Sequence, residues 1–564
     1  MDLNDINNFL ELNDNQTSFI LNSFLEKTEI KDKIIVSDSI YTDTKIDEWI
    51  KKLPNTIGGS ILIDKIVKNP IDNRERLLER QKVNIKIPDY QIKIIKEKEK
   101  DILWIMTLKE EIDDDYFMKL LFPSTYLIEK CNNYRVFLDM YHLYKIIINP
   151  ATCLIYPLSI IVTPYYYLTK QMKINMKIRD YIKILLELIK LILKPSGDIK
   201  KDLIKIITFM IYICIYLYSI YQTFLISYII YKTRNKLLKK LEGLYDFIKT
   251  ALIVINKCNN KWQPFYIYND TIDDINKSII NLNKIRYDLT SIYKLWKDKQ
   301  FKIDIIRILK VIYTIDISYI LTNMRKNKYW TLPIYNKKST NLWGLRNPLL
   351  NDKQIANPAN LDRNLIITGV NAGGKTTYVK SIACNIILGQ TIGIINAIRG
   401  EMMIYDSIVS FMRISDEIGS KSYFEAETSY CSKMIEIADK ISKEDKNGLF
   451  ILDEPMHSTP YFEGVSVAYA ICKYLGELKG IKIIITTHFH KLIELGDIYP
   501  SNFLNLSVNA VNNGDIYEFD YKIRRGGSRQ SIAIELLKRQ ELNDIIINSA
   551  IEMKNNICNE DIKR

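Results

Sequence analysis

The amino-acid sequence predicts an α/β domain at its C-terminal end, a mostly parallel sheet flanked by helices, preceded by a mainly α-helical region with long apolar helices. Three observations predict it. After residue 343, short aliphatic runs alternate with helical stretches: NLIITG (364–369), GLFILDE (448–454) and IKIIITTH (481–488). That alternation is the pattern of a parallel sheet. Before it, LLKKLEGLYDFIKTALIVIN and FKIDIIRILKVIYTIDISYILTNM set apolar residues three and four apart without a proline, which is helical periodicity. Between the two textures, turn residues thicken over 326–364 (KNKYWTLPIYNKKSTN, NPLLND, NPANLDRN) and mark a boundary.

In chain order, residues 1–95 mix short apolar runs with charge and give no motif, so their fold is unassigned. Residues 96–343 form the helical core. Residues 344–564 form the α/β domain. The whole chain of 564 residues has room for three or four domains. With 47% apolar residues and a net charge of +13, it is not disordered, collagen-like or disulfide-stapled. A basic balance suggests a polyanionic partner, with DNA, RNA and an anionic membrane all open. None of the eight cysteines lies in a CxxC pair, so free thiols in a reducing compartment are expected. With only four histidines, no His-rich metal site is expected. The start, MDLNDINNFLELND, lacks a basic segment followed by an apolar one, so no cleaved signal peptide is expected.

The middle of the chain is unusually apolar. Residues 206–231 (IITFMIYICIYLYSIYQTFLISYIIY) run for 26 residues without a charge. A helix of that length measures about 39 Å, longer than a bilayer core of about 30 Å. A second uncharged run, 146–169, carries Pro150, Pro157 and Pro164, which favours a bent or re-entrant segment over a straight span. Between them, YIKILLELIKLIL suits an amphipathic helix lying in a membrane interface. A buried core helix is the alternative for 206–231. Residues 170–205 hold ten Lys/Arg against four Asp/Glu. Translocating them would run against the positive-inside tendency, so a single span or a monotopic hairpin fits better than two spans.

The chemistry lies in the last 220 or so residues. GVNAGGKT (369–376) fits G-x-x-x-x-G-K-[ST], follows the strand LIIT and precedes the helix TTYVKSIACNIILG. This is the context of a phosphate-binding loop. Glycines such as Gly369, Gly373 and Gly374 let backbone N–H groups close around phosphates, and the helix N-terminus adds a favourable dipole. Lys375 is expected at the β/γ-phosphates of ATP, and Thr376 at a Mg²⁺ ion. The strand LFILDE (449–454) ends in two carboxylates at the sheet edge where ligands bind. Asp453 is expected to hold Mg²⁺ and Glu454 to polarise the attacking water. IIITTH places His488 at a third strand tip, suited to sensing the γ-phosphate.

These elements resemble the MutS family of DNA mismatch-repair ATPases. LIITGVNAGGKTTYVKSIACNIILGQTIG resembles its phosphate loop, with Asn371 before the double glycine and Thr377 after the loop. DEIGSKSYFEAE (416–427) resembles its trans-acting signature. By that match Ser422 approaches the nucleotide of the opposite subunit, with Phe424 and Glu427 at the signature's other positions. DEPMHSTPYFEG (453–464) resembles the Walker B segment and the loop after it, and GLRNPLL (344–350) resembles the opening of the ATPase domain. QIANPANL (354–361) resembles the segment beside the adenine, which places Ile355 at the nucleotide. YKIRRGGSRQSIAIELLK (521–538) resembles the closing helix–turn–helix region, and Asp316 the end of the lever helices.

The resemblance implies a P-loop ATPase that uses ATP and Mg²⁺, with C-terminal dimerisation helices. It implies a homodimer or heterodimer acting as a clamp on DNA. An intracellular, cytosolic or nucleoid-type setting follows. The alternative is a membrane-associated ATPase of this type, anchored through 206–231 with its ATPase facing the cytosol and without mismatch recognition. Three departures stand out. A PMHS stretch follows Glu454 where the family carries a glycine-containing one. Gln354 stands where an aromatic adenine platform is usual. No Phe-x-Glu mismatch-reading motif is found near the N-terminus. Charge sharpens the partner question. Residues 344–564 carry 25 basic and 27 acidic residues, whereas 170–240 carry 15 basic and 4 acidic. The positive excess therefore brackets the longest apolar run and suits anionic lipid as well as a phosphate backbone.

Overall fold

The computed structural model describes residues 12–26, 34–107, 120–123, 125, 128–192, 194, 198–284, 288, 290–291, 293, 298–412, 423–457, 459–513, 516–530, 534 and 543–563. Two compact units interleave along the chain. One comprises Met1–Phe24, Ile94–Ile253 and Asp270–Ile308; the other comprises Leu25–Lys93, Val254–Asn269 and Leu309–Arg564. The sequence reading instead divides the chain at 95/96 and 343/344.

The second unit is built on a mixed seven-stranded sheet flanked by helices. Its strands are β1 (Ile35–Val36), β5 (Asn364–Gly369), β7 (Ser407–Phe411), β8 (Gly448–Asp453), β9 (Ile481–Thr486), β10 (Phe503–Asn513) and β11 (Ile516–Arg525), in the order β1-β7-β8-β9-β5-β10-β11. All neighbours run parallel except the β10–β11 hairpin at one edge. Every residue of β5 is buried, and so is β8 up to Leu452. That is why these strands read as continuous aliphatic runs rather than alternating ones. A smaller sheet joins β2 (Ile334–Asn336), β6 (Arg399–Met403), β3 (Asn341–Leu345) and β4 (Asn357–Asn360) in that order.

The helix Lys375–Thr391 starts from Gly374, whose φ of 95° lets the loop turn directly into the first helical residue. It stops where Gly393 takes a φ of 71° and both Ile392 N and Gly393 N reach back to Leu388 O. From Ser381 onward it is buried on all sides, so it is the central helix of the unit rather than an amphipathic cover.

Residues 34–93, which carry no sequence motif, close this unit. Ile71 N donates to Gln390 O at the end of the central helix. Arg80 is buried, donates to Thr391 O and lies 5.1 Å over the Phe265 ring. Thr56 caps the helix Ile57–Val67 and also meets Asp316, which accepts from Thr56 N (2.9 Å), Thr56 Oγ1 (2.7 Å) and Asn55 Nδ2 (2.9 Å). Burial pushes the Asp316 carboxyl above its ordinary range. Three donors are what make that burial tolerable.

The first unit is helical. The Pro-bearing helix Asn149–Tyr166 lies between two π-helical turns, Tyr144–Ile148 and Tyr167–Gln171. Pro157 and Pro164 are inside it, and the axis bends by 49° near residue 160, four positions before Pro164. A proline offers no N–H to that carbonyl and crowds it, which accounts for the bend. The helix Ile199–Cys258 is 60 residues long. Ser227 Oγ donates to Ile146 O (2.6 Å) and Tyr216 OH to Cys153 O (2.9 Å). Contacts that rise on one helix as they fall on the other make an antiparallel hairpin. Among the described residues the long helix is apolar and long enough to cross a membrane, and its most apolar stretch has no buried residue. Tyr212, Tyr218 and Tyr221 are each at least 60% exposed, whereas Ile229 and Ile230 near the end of the run are buried, so the buried-helix alternative fits only the last turns of 206–231.

Candidate active site

Parallel strands end together at one sheet edge, and the residues at those ends are the ones the sequence singles out. Asp453 at the tip of β8 is in register with Thr486 at the tip of β9, which pairs in turn with Ile367, two residues before the end of β5. Gly369 closes β5 with a φ of 134°, and a Cβ there would lie 2.1 Å from Val508 O of β10. Only glycine lets the loop leave the strand so close to its neighbour.

Lys375 folds back over its own loop. Its Nζ donates to Gly369 O (2.9 Å) and Val370 O (3.2 Å), and lies 3.2 Å from His488 Nε2. Burial draws its amine below the ordinary lysine range, against the pull of Glu454 and Asp453. Thr376 Oγ1 donates to Asp453, at 3.1 Å from Oδ2 and 3.3 Å from Oδ1. Thr486 Oγ1 donates to Asp453 Oδ1. Burial raises the Asp453 carboxyl, offset in part by these two hydroxyls.

Glu454 is the reverse case. Its Oε1 lies 2.7 Å from His488 Nε2, and that hydrogen bond holds the carboxyl below its ordinary range. The ring nitrogen thus has two claimants. As N–H it donates to Glu454; as a bare nitrogen it accepts from Lys375, so the tautomer selects the partner. Glu454 also sits at φ 54°, a left-handed conformation unusual for a residue with a side chain. Its N–H donates to Thr486 O (3.0 Å), and Met456 N two residues on donates to the buried Glu427 Oε1 (2.5 Å). Glu427 therefore ties the start of helix Tyr423–Lys443 to the loop after β8.

A cavity of about 880 Å³ opens beside the loop, within the range that holds a small-molecule ligand. Asn371, Gly373, Gly374, Lys375, Thr376, Thr377, Glu454 and Ile355 line it. Asp453 and His488 stand behind that lining, in contact with Thr376 and Lys375. Ser422 and most of the 416–427 segment lie outside the described residues.

Sequence reasoning missed two groups here. Thr486 is the direct partner of Asp453, and its signal was the Thr-Thr before His488. Tyr521 and Phe519, from β11, line the cavity, and Phe519 packs against Val370 and Ala510. The Tyr521 ring comes within 3.3 Å of where a Cβ on Gly374 would sit. Its backbone is pinned by Asn357, whose Nδ2 donates to Tyr521 O (2.9 Å) and whose Oδ1 accepts from Ile523 N (2.9 Å). Gln354, by contrast, is spent locally: it bonds the backbone N–H and carbonyl of Asn347 at 2.7 and 2.9 Å.

The family model described as MutS domain V matches residues 365–558. The chain is similar to the DNA mismatch repair protein MutS of Bacillus velezensis, 26% identical over 48% of this chain and 32% of that protein. It is similar to that of Prochlorococcus marinus (strain MIT 9312), 33% identical over 36% of this chain and 22% of that protein. With the MutS of Acetivibrio thermocellus the figures are 28%, 35% and 22%. The chain thus spans about a third or less of the length of these curated relatives. Over residues 365–558, the stretch that carries the loop, the paired carboxylates and His488, the chain is similar to the MutS family.

Proposed function

We propose that residues 344–564 contain a P-loop ATPase domain of MutS type that binds and hydrolyses MgATP, and that two chains pair as a nucleotide-driven clamp on DNA. The observation that carries this reading is the convergence of Lys375, Thr376, Asp453, Glu454 and His488 at the ends of β5, β8 and β9. Lys375 neutralises the β/γ-phosphates, and the N–H groups of the loop and helix start cradle them. Thr376 and Asp453 present a hydroxyl and a carboxylate already in contact, a hard oxygen pair that fits Mg²⁺. Such an ion spreads phosphate charge. Glu454, ionised at neutral pH, orients and polarises water, and His488 links its state to the phosphate end of Lys375. Ser422 completes the site from the partner chain, as the family signature implies. DNA as partner is supported by the printed names of the relatives, all DNA mismatch repair proteins.

The test is metal removal. ATP turnover by the full chain should fall to background with excess EDTA and return with Mg²⁺; turnover indifferent to chelation would overturn the reading. Base binding gives a second check. Tyr521 offers the aromatic face that Gln354 does not, so Tyr521→Ala should raise KM for ATP about tenfold with kcat nearly unchanged. An unaltered KM would remove Tyr521 from the base site.

A second reading has its own observation. The hairpin of 146–169 against 199–231 exposes its most apolar stretch and is flanked by basic residues. That favours a membrane-associated MutS-type ATPase, with the hairpin lodged in one leaflet and the ATPase in the cytosol. Recovery of the full chain wholly in the soluble fraction without detergent would reject it.

A further inference from the structure

The hairpin turns in an unusual way. Residues Tyr167–Gln171 form a π-helical turn, and Lys173 takes a left-handed φ of 55°. Met172 N donates to Tyr167 O and Ile174 N to Leu168 O, both at 3.0 Å. The chain is thereby folded back before the helix Ile178–Ile192 begins. Tyr165 OH donates to Met176 O (3.2 Å), and its ring centroid lies 5.2 Å from that of the buried Tyr181. These contacts enclose a cavity of about 720 Å³. Ile161, Val162 and Ile182 form an apolar wall, and Lys170 and Lys173 belong to its lining. Neither lysine makes an ion pair among the described residues. The acids of this segment, Asp180, Glu187, Asp198 and Asp202, are not among the lining residues.

We propose that this cavity binds one anionic phospholipid, its headgroup phosphate between Lys170 and Lys173 and an acyl chain along Ile161, Val162 and Ile182. The proposal rests on the membrane reading of the hairpin. Two cations without carboxylate partners select an anion. The apolar wall beside them selects one that carries hydrocarbon, which a free phosphate or a nucleic-acid backbone does not. Basic pockets between membrane helices bind lipid headgroups in this way. Exposed aliphatic residues on the same face of the adjoining helix Ile178–Ile192 as Ile182, among them Leu186 and Ile189, continue the apolar surface into the interface.

The test is flotation of the full chain with vesicles of phosphatidylcholine alone and of phosphatidylcholine mixed with phosphatidylglycerol. The chain should float with both and bind the anionic vesicles about tenfold more tightly. Lys170→Gln with Lys173→Gln should abolish that preference and leave ATP turnover unchanged. Lys200→Gln with Lys205→Gln removes the same charge from the same basic segment and should retain most of it. Equal loss in both double variants would mean diffuse attraction and overturn the site. No preference in the unaltered chain would overturn the site and leave the membrane reading standing. No flotation with either vesicle would overturn the membrane reading itself. Short-chain phosphatidylglycerol should compete and inorganic phosphate should not; equal competition would assign a bare anion site instead. Loss of duplex-DNA affinity in Lys170→Gln/Lys173→Gln with flotation intact would assign these lysines to nucleic acid and overturn the lipid.

Discussion

Glu454→Gln should lower steady-state ATP hydrolysis by about 10²- to 10⁴-fold, the range for removing a positioned base, while ATP still binds. The substitution is nearly isosteric. It removes a charge rather than a neutral acid, because the bond to His488 keeps the carboxyl ionised well below neutral pH. Lys375, Thr376 and Asp453 are untouched, so nucleotide and ion should still be retained. Paired chains should then accumulate with ATP bound, and sedimentation velocity with and without ATP reads this directly. Wild-type turnover in the Gln variant would move the base to another residue. The left-handed backbone of Glu454 adds a specificity to the result. The peptide is held by its N–H to Thr486 O and by the Glu427–Met456 bond, neither of which involves the Glu454 side chain, so the loop should keep its course in the variant.

Lys375→Ala should abolish turnover for a different reason. On the proposed reading its Nζ exchanges carbonyl contacts for phosphate ones, and a single preorganised donor of this kind is worth about 10²- to 10³-fold in rate. Here nucleotide affinity should fall too, which equilibrium binding of a fluorescent ATP analogue separates from the Glu454→Gln outcome. The same variant probes whether sites are shared. A chain carrying Lys375→Ala supplies a normal Ser422, and one carrying Ser422→Ala supplies a normal loop. Mixed at equal amounts, the two defective chains should regain part of the wild-type rate if each site draws Ser422 from its partner. A mixture no more active than its components would sink the composite site.

How much of this was legible in the sequence follows from what each residue has to do. Lys375, Thr376, Asp453 and Glu454 stand at spacings fixed by a loop, a strand and a helix start, and the structure brings them together with His488. The parallel core was legible because β5 and β8 are buried on both faces and cannot alternate. The antiparallel β10–β11 edge and the two-residue β1 were not, since neither has an apolar run that differs from its surroundings. Residues 34–93 looked featureless because their contribution is long-range: Thr56 meets Asp316 across 260 positions and Arg80 meets Thr391 across 311. Tyr521 was hidden for the opposite reason. Its neighbours Asp520 and Lys522 are polar, and only the β10–β11 hairpin brings its ring to Gly374.

The interleaving of the two units has a consequence for how the protein can be taken apart. The chain passes from one unit to the other five times, at 24/25, 93/94, 253/254, 269/270 and 308/309. Four of those passages fall inside continuous helices, Asp14–Leu25, Asp89–Ile105, Ile199–Cys258 and Lys299–Met324. A fragment cut at residue 344 would lack the edge strand β1, the Ile71 partner of Gln390 and the Arg80 partner of Thr391. It would expose the buried end of the central helix to water. Reading frames that encode only the familiar motif region would thus yield an unstable product, and tolerated breaks should cluster in surface turns instead. The unit that holds the candidate site is contiguous in space but scattered along the sequence.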